Sequence, residues 1–143
     1  MDRDDPYDLD RFVLAQDEGG AYHRALAELR RGRKTSHWMW FVFPQIAGLG
    51  QSPTSRHFAI RSLEEAQAYL AHRVLGERLM ECAEIVAATS DRTAQEIFGS
   101  IDAQKLRSSM TLFGRAAPDA AVFTKVLERF FGGDADPATL KQL

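Results

Sequence analysis

Between Thr35 and Ser55 the chain carries no formally charged residue, although Arg30, Arg31, Arg33 and Lys34 crowd immediately before it. A stretch without charge is readily taken out of water, and its centre, Trp38-Met39-Trp40-Phe41-Val42-Phe43, is apolar on both faces. The fold must be built around it. Aromatic and β-branched residues favour a strand, yet a buried helical turn shows the same two-sided pattern, so periodicity leaves both open. Pro44 ends the run, and Gly48, Gly50, Ser52 and Pro53 form an irregular loop, the segment expected to be most mobile.

Helical signals surround this segment. Upstream, a short amphipathic helix is expected after Asp8 through Leu9, Phe12 and Val13 until Gly19-Gly20. A second runs through Tyr22, Ala25, Leu26 and Leu29, with His23, Arg24, Glu28 and Arg30 facing outward and Gly32 as the stop. Downstream, Ser62 with Glu65 forms a capping-box pattern before Leu63, Ala66 and Leu70. His72 and Gly76 punctuate the end of that helix, and the next carries Leu75, Leu79, Cys82, Ala83 and Val86 inward. Thr93 with Glu96 repeats the box ahead of a helix of about two turns that stops at Gly99. Asp102 is the expected cap of a helix with Leu106, Met110 and Phe113 on its core side. Asp119 is expected to open another with a wide apolar stripe, Val122 to Phe131, closed by Gly132-Gly133; Asp136-Pro137 starts a terminal turn. These signals predict an all-α fold, one compact domain over residues 1–143 with about seven or eight mostly short helices.

Composition narrows the function classes. Eighteen Lys and Arg against twenty Asp and Glu give a formal charge of -2, so no basic field exists to hold a polyphosphate backbone, and general nucleic-acid binding is not expected. The single cysteine, Cys82, cannot close an intramolecular disulfide and reads as packing material, which suits a reducing, cytoplasmic location. No apolar run approaches the roughly 20 residues needed to span a bilayer, and the first residues do not form a basic-then-apolar leader, so no membrane role is expected. His23, His37, His57 and His72 never take the spacing of a zinc-protease helix, so no metal site is expected. Gly48-Leu49-Gly50 lacks the third glycine of a dinucleotide fingerprint, and neither a phosphate loop nor a nucleophile elbow occurs. No cofactor is expected.

Two segments remain that could carry chemistry. In Arg33 to Gln45, Lys34, Ser36, His37 and Gln45 flank Trp38 and Trp40, placing cationic and polar donors against indole planes. His37 is the side chain there that exchanges a proton near neutral pH without a large shift. In Gly99 to Thr111, helical spacing puts Asp102, Lys105 and Ser109 on one side, with Ser108 at the border, opposite Leu106, Met110 and Phe113. Small adjacent serines are poor helix formers and suit the close approach of a ligand or another helix. Bland roles compete throughout: the aromatic run as core, Asp102 as a cap, and the serines bonded back to carbonyls.

At these segments the chain resembles the bacterial domain-of-unknown-function 1810 family. The matching text includes Ser36-His37-Trp38-Met39-Trp40-Phe41-Val42-Phe43-Pro44-Gln45, Gly48-Leu49-Gly50-Gln51-Ser52, Leu75-Gly76-Glu77-Arg78-Leu79, Ile97-Phe98-Gly99 and Lys105-Leu106-Arg107-Ser108-Ser109-Met110-Thr111-Leu112-Phe113. The likeness spans nearly the whole chain. It implies a mainly α-helical domain, which tips the aromatic run towards helix, and it implies no activity. The name calpastatin sometimes attached to the family does not fit, because this sequence lacks the low hydrophobicity of disordered inhibitors. One departure is Arg73, where the family often has a proline after the histidine, a change expected to loosen that helix start.

Together the two segments suggest a site for a small anionic or nucleotide-like, ADP-ribose-type ligand. Trp38 or Trp40 would stack on a ring, Lys34 and Lys105 neutralise phosphate, Ser36, Gln45, Ser108 and Ser109 supply hydrogen bonds, and His37 with Asp102 exchange protons if chemistry occurs. The alternative is a protein-interaction module or homodimer without catalytic activity, since aromatics, Met and Arg concentrate at interface cores.

Overall fold

The computed structural model describes residues 5–143. These form helices α1 (Asp10–Asp17), α2 (Ala21–Arg31), α3 (Met39–Val42), α4 (Pro53–His57), α5 (Leu63–Ala71), α6 (Arg73–Ala88), α7 (Ala94–Ala116), α8 (Ala121–Phe131) and α9 (Pro137–Gln142). Among the described residues there is no strand, only an isolated parallel bridge between Ile46 and Ile60. The fold is all-α. The long α7 lies against α5, α8 and α9, while α6 packs on α2, α5 and α8, and α1 on α2 and α3. Phe12, Tyr69, Phe113 and Phe123 form a run of ring contacts through one continuous core, with Phe12 and Tyr69 meeting edge to face. Among the described residues no helix is long and apolar enough to cross a membrane.

Local chemistry accounts for several helix ends. Ser62 Oγ accepts from Glu65 N at 3.0 Å at the start of α5, and Thr93 and Glu96 complete a reciprocal capping box on α7. Gly32 and Gly132 close α2 and α8 in the left-handed region, φ 73° and 62°, which glycine enters without a Cβ penalty. Asp136 caps α9 as expected, accepting from Thr139 N at 3.2 Å. At α6 the absent proline is offset by His72, whose Nδ1 accepts from Val74 N and Leu75 N, each at 3.2 Å.

Several expected ends differ. Leu9, not Asp8, stands at the cap position of α1 and gives no side-chain cap; Asp5 instead accepts from Leu9 N at 2.7 Å and Asp10 N at 2.9 Å. Ala120 rather than Asp119 precedes α8 and gives no side-chain cap. Gly99 does end the short first helical piece, its φ 80° and ψ 161° breaking the helix as expected, but the helix resumes at once, so the two pieces make up α7 as one kinked element. Asp102 therefore sits inside α7 rather than at a cap, which frees its carboxylate for longer-range partners. The undecided aromatic run is one helical turn, α3, with Trp38, Met39, Val42 and Phe43 buried and Trp40 and Phe41 partly exposed.

The α5–α6 corner has no spare room. A Cβ on Gly76 would lie 2.1 Å from the Leu70 carbonyl oxygen, backbone that cannot swing aside. Gly76→Ala is therefore expected to force the two helices apart and lower stability by about 1–3 kcal/mol, measured by urea unfolding.

Candidate functional site

The connection from α2 to α3 is organised by one carboxylate. Glu28 belongs to the outward set by spacing, but it is buried. Its Oε1 accepts from Thr35 N at 2.8 Å, Ser36 N at 3.0 Å and Trp38 Nε1 at 2.9 Å, and its Oε2 accepts from Ser36 Oγ at 2.5 Å. Burial alone would raise its pKa, but the hydrogen bonds from Ser36, Thr35 and Trp38 prevail and hold it at about 2. The anion thus fixes the segment that follows α2. Lys34 N also donates to Ile97 O at 2.7 Å, which docks this segment on the first part of α7.

Beyond the Gly99 kink, α7 returns Asp102 and Lys105 to the same place. Lys34 Nζ lies 2.8 Å from Asp102 Oδ2, donates to Ser36 O at 2.6 Å and sits 5.0 Å from the centre of the Trp38 ring. Lys105 Nζ lies 3.6 Å from Asp102 Oδ1 and 4.7 Å from the centre of the Trp40 ring. The order is indole, ammonium, carboxylate, ammonium, indole. Two ammonium groups share one carboxylate, which leaves net positive charge against the face of Trp40.

Three adjoining hollows lie here, two of them lined by Trp40. The first, about 170 Å³, is lined by Trp40, Gln45, Ser55, Arg56 and Arg61 among others. The second, about 520 Å³, includes Gln45, Ser55, Ser100, Ile101, Lys105 and Ser108 in its walls. In the third, about 320 Å³, Lys34, His37 and Asp102 meet Trp40, Ser100 and Ile101. Shared residues make them one cleft: Gln45 and Ser55 border the first and second, Trp40 the first and third, Ser100 and Ile101 the second and third. Ile101, 75 % exposed, stands on the rim.

The candidate residues therefore divide. Lys34, His37, Trp40, Gln45, Asp102 and Lys105 line the cleft. Trp38 does not: it is 1 % exposed, with its indole N–H given to Glu28. Ser36 is committed to the same carboxylate. Ser108 touches the second hollow, but its hydroxyl donates at 3.1 Å to Gln104 O and at 2.9 Å to Asp136 Oδ2. Asp136 is buried, which would raise its pKa, but the hydrogen bonds from Thr139 and Ser108 with the Arg107 charge lower it. Ser109 is fully buried and borders none of the three hollows. Cys82 is core, and burial pushes its thiol up to about 12, so it is no nucleophile. No cluster of His, Cys, Asp and Glu among the described residues could hold a metal ion.

Residues without a sequence signal complete the site. Arg56 and Arg61 line the smallest hollow, and both lie where the pattern reads only as loop. Behind them Arg11 is buried and donates to His57 O at 2.8 Å, Ala59 O at 2.9 Å, Tyr7 O at 2.7 Å, Asp8 O at 2.8 Å and Glu65 Oε2 at 2.9 Å. Glu65 Oε1 in turn accepts from Arg61 N at 3.1 Å. An ion pair this well satisfied ties the α4–α5 connection to α1.

No curated protein matches the chain. Among solved structures it is similar to the conserved hypothetical protein Rv1873 from Mycobacterium tuberculosis, with 51% identity, a TM-score of 0.94, and 97% of this chain and 98% of that one covered. The family model described as "Protein of unknown function (DUF1810)" matches residues 6–143. On both the matched length and the shared fold, the chain belongs to this family.

Proposed function

We propose that the protein binds a small anionic, nucleotide-like ligand of ADP-ribose type in the cleft around Trp40. One observation carries this reading: the shared Asp102 carboxylate leaves the Lys34 and Lys105 pair with surplus positive charge beside a partly exposed indole. Such a pairing of an aromatic plane with cations suits a ring attached to phosphate. In this reading the ligand ring takes the Trp40 face, displacing or sharing the Lys105 ammonium, while Gln45 supplies the hydrogen bonds that fix orientation. His37 is assigned any proton exchange, being the imidazole on the cleft wall. Asp102, with an ammonium at each oxygen, positions the two lysines. Trp38, Ser36, Ser108 and Ser109 serve the ligand only by holding the walls in place.

Thermal unfolding with a panel of nucleoside diphosphates and ADP-ribose tests the proposal. At ten times Kd a ligand of this class is expected to raise Tm by roughly 2–6 °C, and Lys105→Gln is expected to weaken it about tenfold. A panel in which no member shifts Tm, or equal affinity in Lys105→Gln, would contradict it.

A further inference from the structure

Resting on the ligand-binding reading of the Trp40 cleft, we infer that its smallest hollow is a subsite for a compact oxyanion, the carboxylate or phosphate of the bound molecule. Two arginines, Arg56 and Arg61, line it beside Gln45, Ser55 and Trp40. Among the described residues neither arginine has a carboxylate within 4.0 Å; Arg56 donates only to Gln51 Oε1, at 3.2 Å. Trp40 adds a second kind of donor. Its indole N–H is buried and finds no acceptor in the protein, and a buried orphan donor costs about 1–3 kcal/mol unless something accepts from it. An anion facing the two arginines neutralises both charges, and a small movement of the Trp40 ring that uncovers its N–H lets the same anion remove the orphan cost.

The walls are built before any ligand arrives. Ala47 N donates to Ile60 O at 2.7 Å and Ile60 N to Gln45 O at 2.8 Å, which binds the two sides of the hollow together. Arg61 N is held by Glu65, and the His57 and Ala59 carbonyls by Arg11. Gly50 closes the loop directly on Ser55: a Cβ there would lie 2.5 Å from Ser55 Cβ. The volume, about 170 Å³, is close to the ~150 Å³ that holds one six-membered ring. The hollow therefore accepts one anionic group or one small ring acid, and a whole nucleotide must extend into the adjoining hollows that carry Lys105 and Lys34.

Inorganic phosphate and benzoate, titrated separately into the full chain and followed by Tm and tryptophan emission, probe the subsite directly. Both are expected to bind; stronger binding of phosphate marks a phosphoryl group as the natural occupant, and stronger binding of benzoate a carboxylate. Arg56→Gln and Arg61→Gln, both at exposed positions, are expected to weaken each anion about tenfold while leaving the far-ultraviolet spectrum unchanged; Lys125→Gln, exposed and outside the cleft, is expected to leave phosphate and benzoate affinity unaltered. Equal anion binding by the wild type and both arginine variants overturns the subsite, as does the absence of any anion binding. If nucleotide binding then depends on Lys105 but not on the arginines, the cleft reading stands without the subsite. If the anions bind through the arginines and no nucleotide binds, the subsite stands and the nucleotide-like ligand falls.

Discussion

Glu65→Leu is expected to lower stability by about 3–5 kcal/mol, the largest loss from any single change considered for this chain. The substitution strands the Arg11 guanidinium, whose side chain is 4 % exposed, without its only carboxylate among the described residues, and removes the acceptor of Arg61 N. The cost arises from the charge left behind rather than from the strength of the pair. The companion expectation follows: Arg11→Met combined with Glu65→Leu recovers much of the loss, because no buried charge then remains. Urea unfolding of the two single variants and the double variant measures the coupling. Recovered stability is not expected to restore anion binding, since the His57 and Ala59 carbonyls lose the donor that fixes the wall of the smallest hollow.

Glu28→Gln is expected to cost about 2–4 kcal/mol at neutral pH. A neutral amide has one acceptor oxygen and brings an NH2 group into a site where Thr35 N, Ser36 N, Ser36 Oγ and Trp38 Nε1 all donate. The pH dependence has a definite sign. The folded carboxyl titrates at about 2 against an ordinary value of 4.5, so its contribution is fully present above pH 4.5 and is lost as the pH falls towards 2. The linked free energy is about 3 kcal/mol. Wild type and Glu28→Gln should therefore converge in stability between pH 4.5 and pH 2, and comparing the two removes the acid response of Asp136, which both share. A gap that stays constant across that range contradicts the assignment.

The parts of this fold legible in the sequence are those decided by neighbours in the chain. Ser62, the Thr93–Glu96 box, Asp136 and the closing glycines Gly32 and Gly132 act within a turn of where they stand, so spacing alone finds them. The same logic misplaced Glu28, because its partners lie just past the helix end, where the periodic rule for its outward face no longer applies. It also missed the Arg11–Glu65 pair, whose members are 54 residues apart and leave no local pattern. Asp102 reads as a cap, but the helix resumes directly after the Gly99 break and takes Asp102 into its first turn, where the carboxylate meets Lys34.

The candidate site was only partly legible, and only as a set of residues that come together. The convergence of the Lys34–Gln45 segment with Asp102 and Lys105 follows from unusual residue types on two segments. Telling the two indoles apart does not, since a run apolar on both faces gives no hint that Trp38 turns to Glu28 and Trp40 to the cleft. Arg56 and Arg61 gave no signal because loop arginines ordinarily face water.

The difference between the two tryptophans provides the most direct measurement. In a ¹⁵N-labelled sample the indole N–H groups give separate resonances, one from Trp38 bound to Glu28 and one from Trp40 without a protein acceptor. Saturation with a nucleoside diphosphate or ADP-ribose is predicted to move the Trp40 resonance and leave Trp38 in place. A shift confined to Trp38, or no shift of either at saturating nucleotide, contradicts a ligand cleft centred on Trp40.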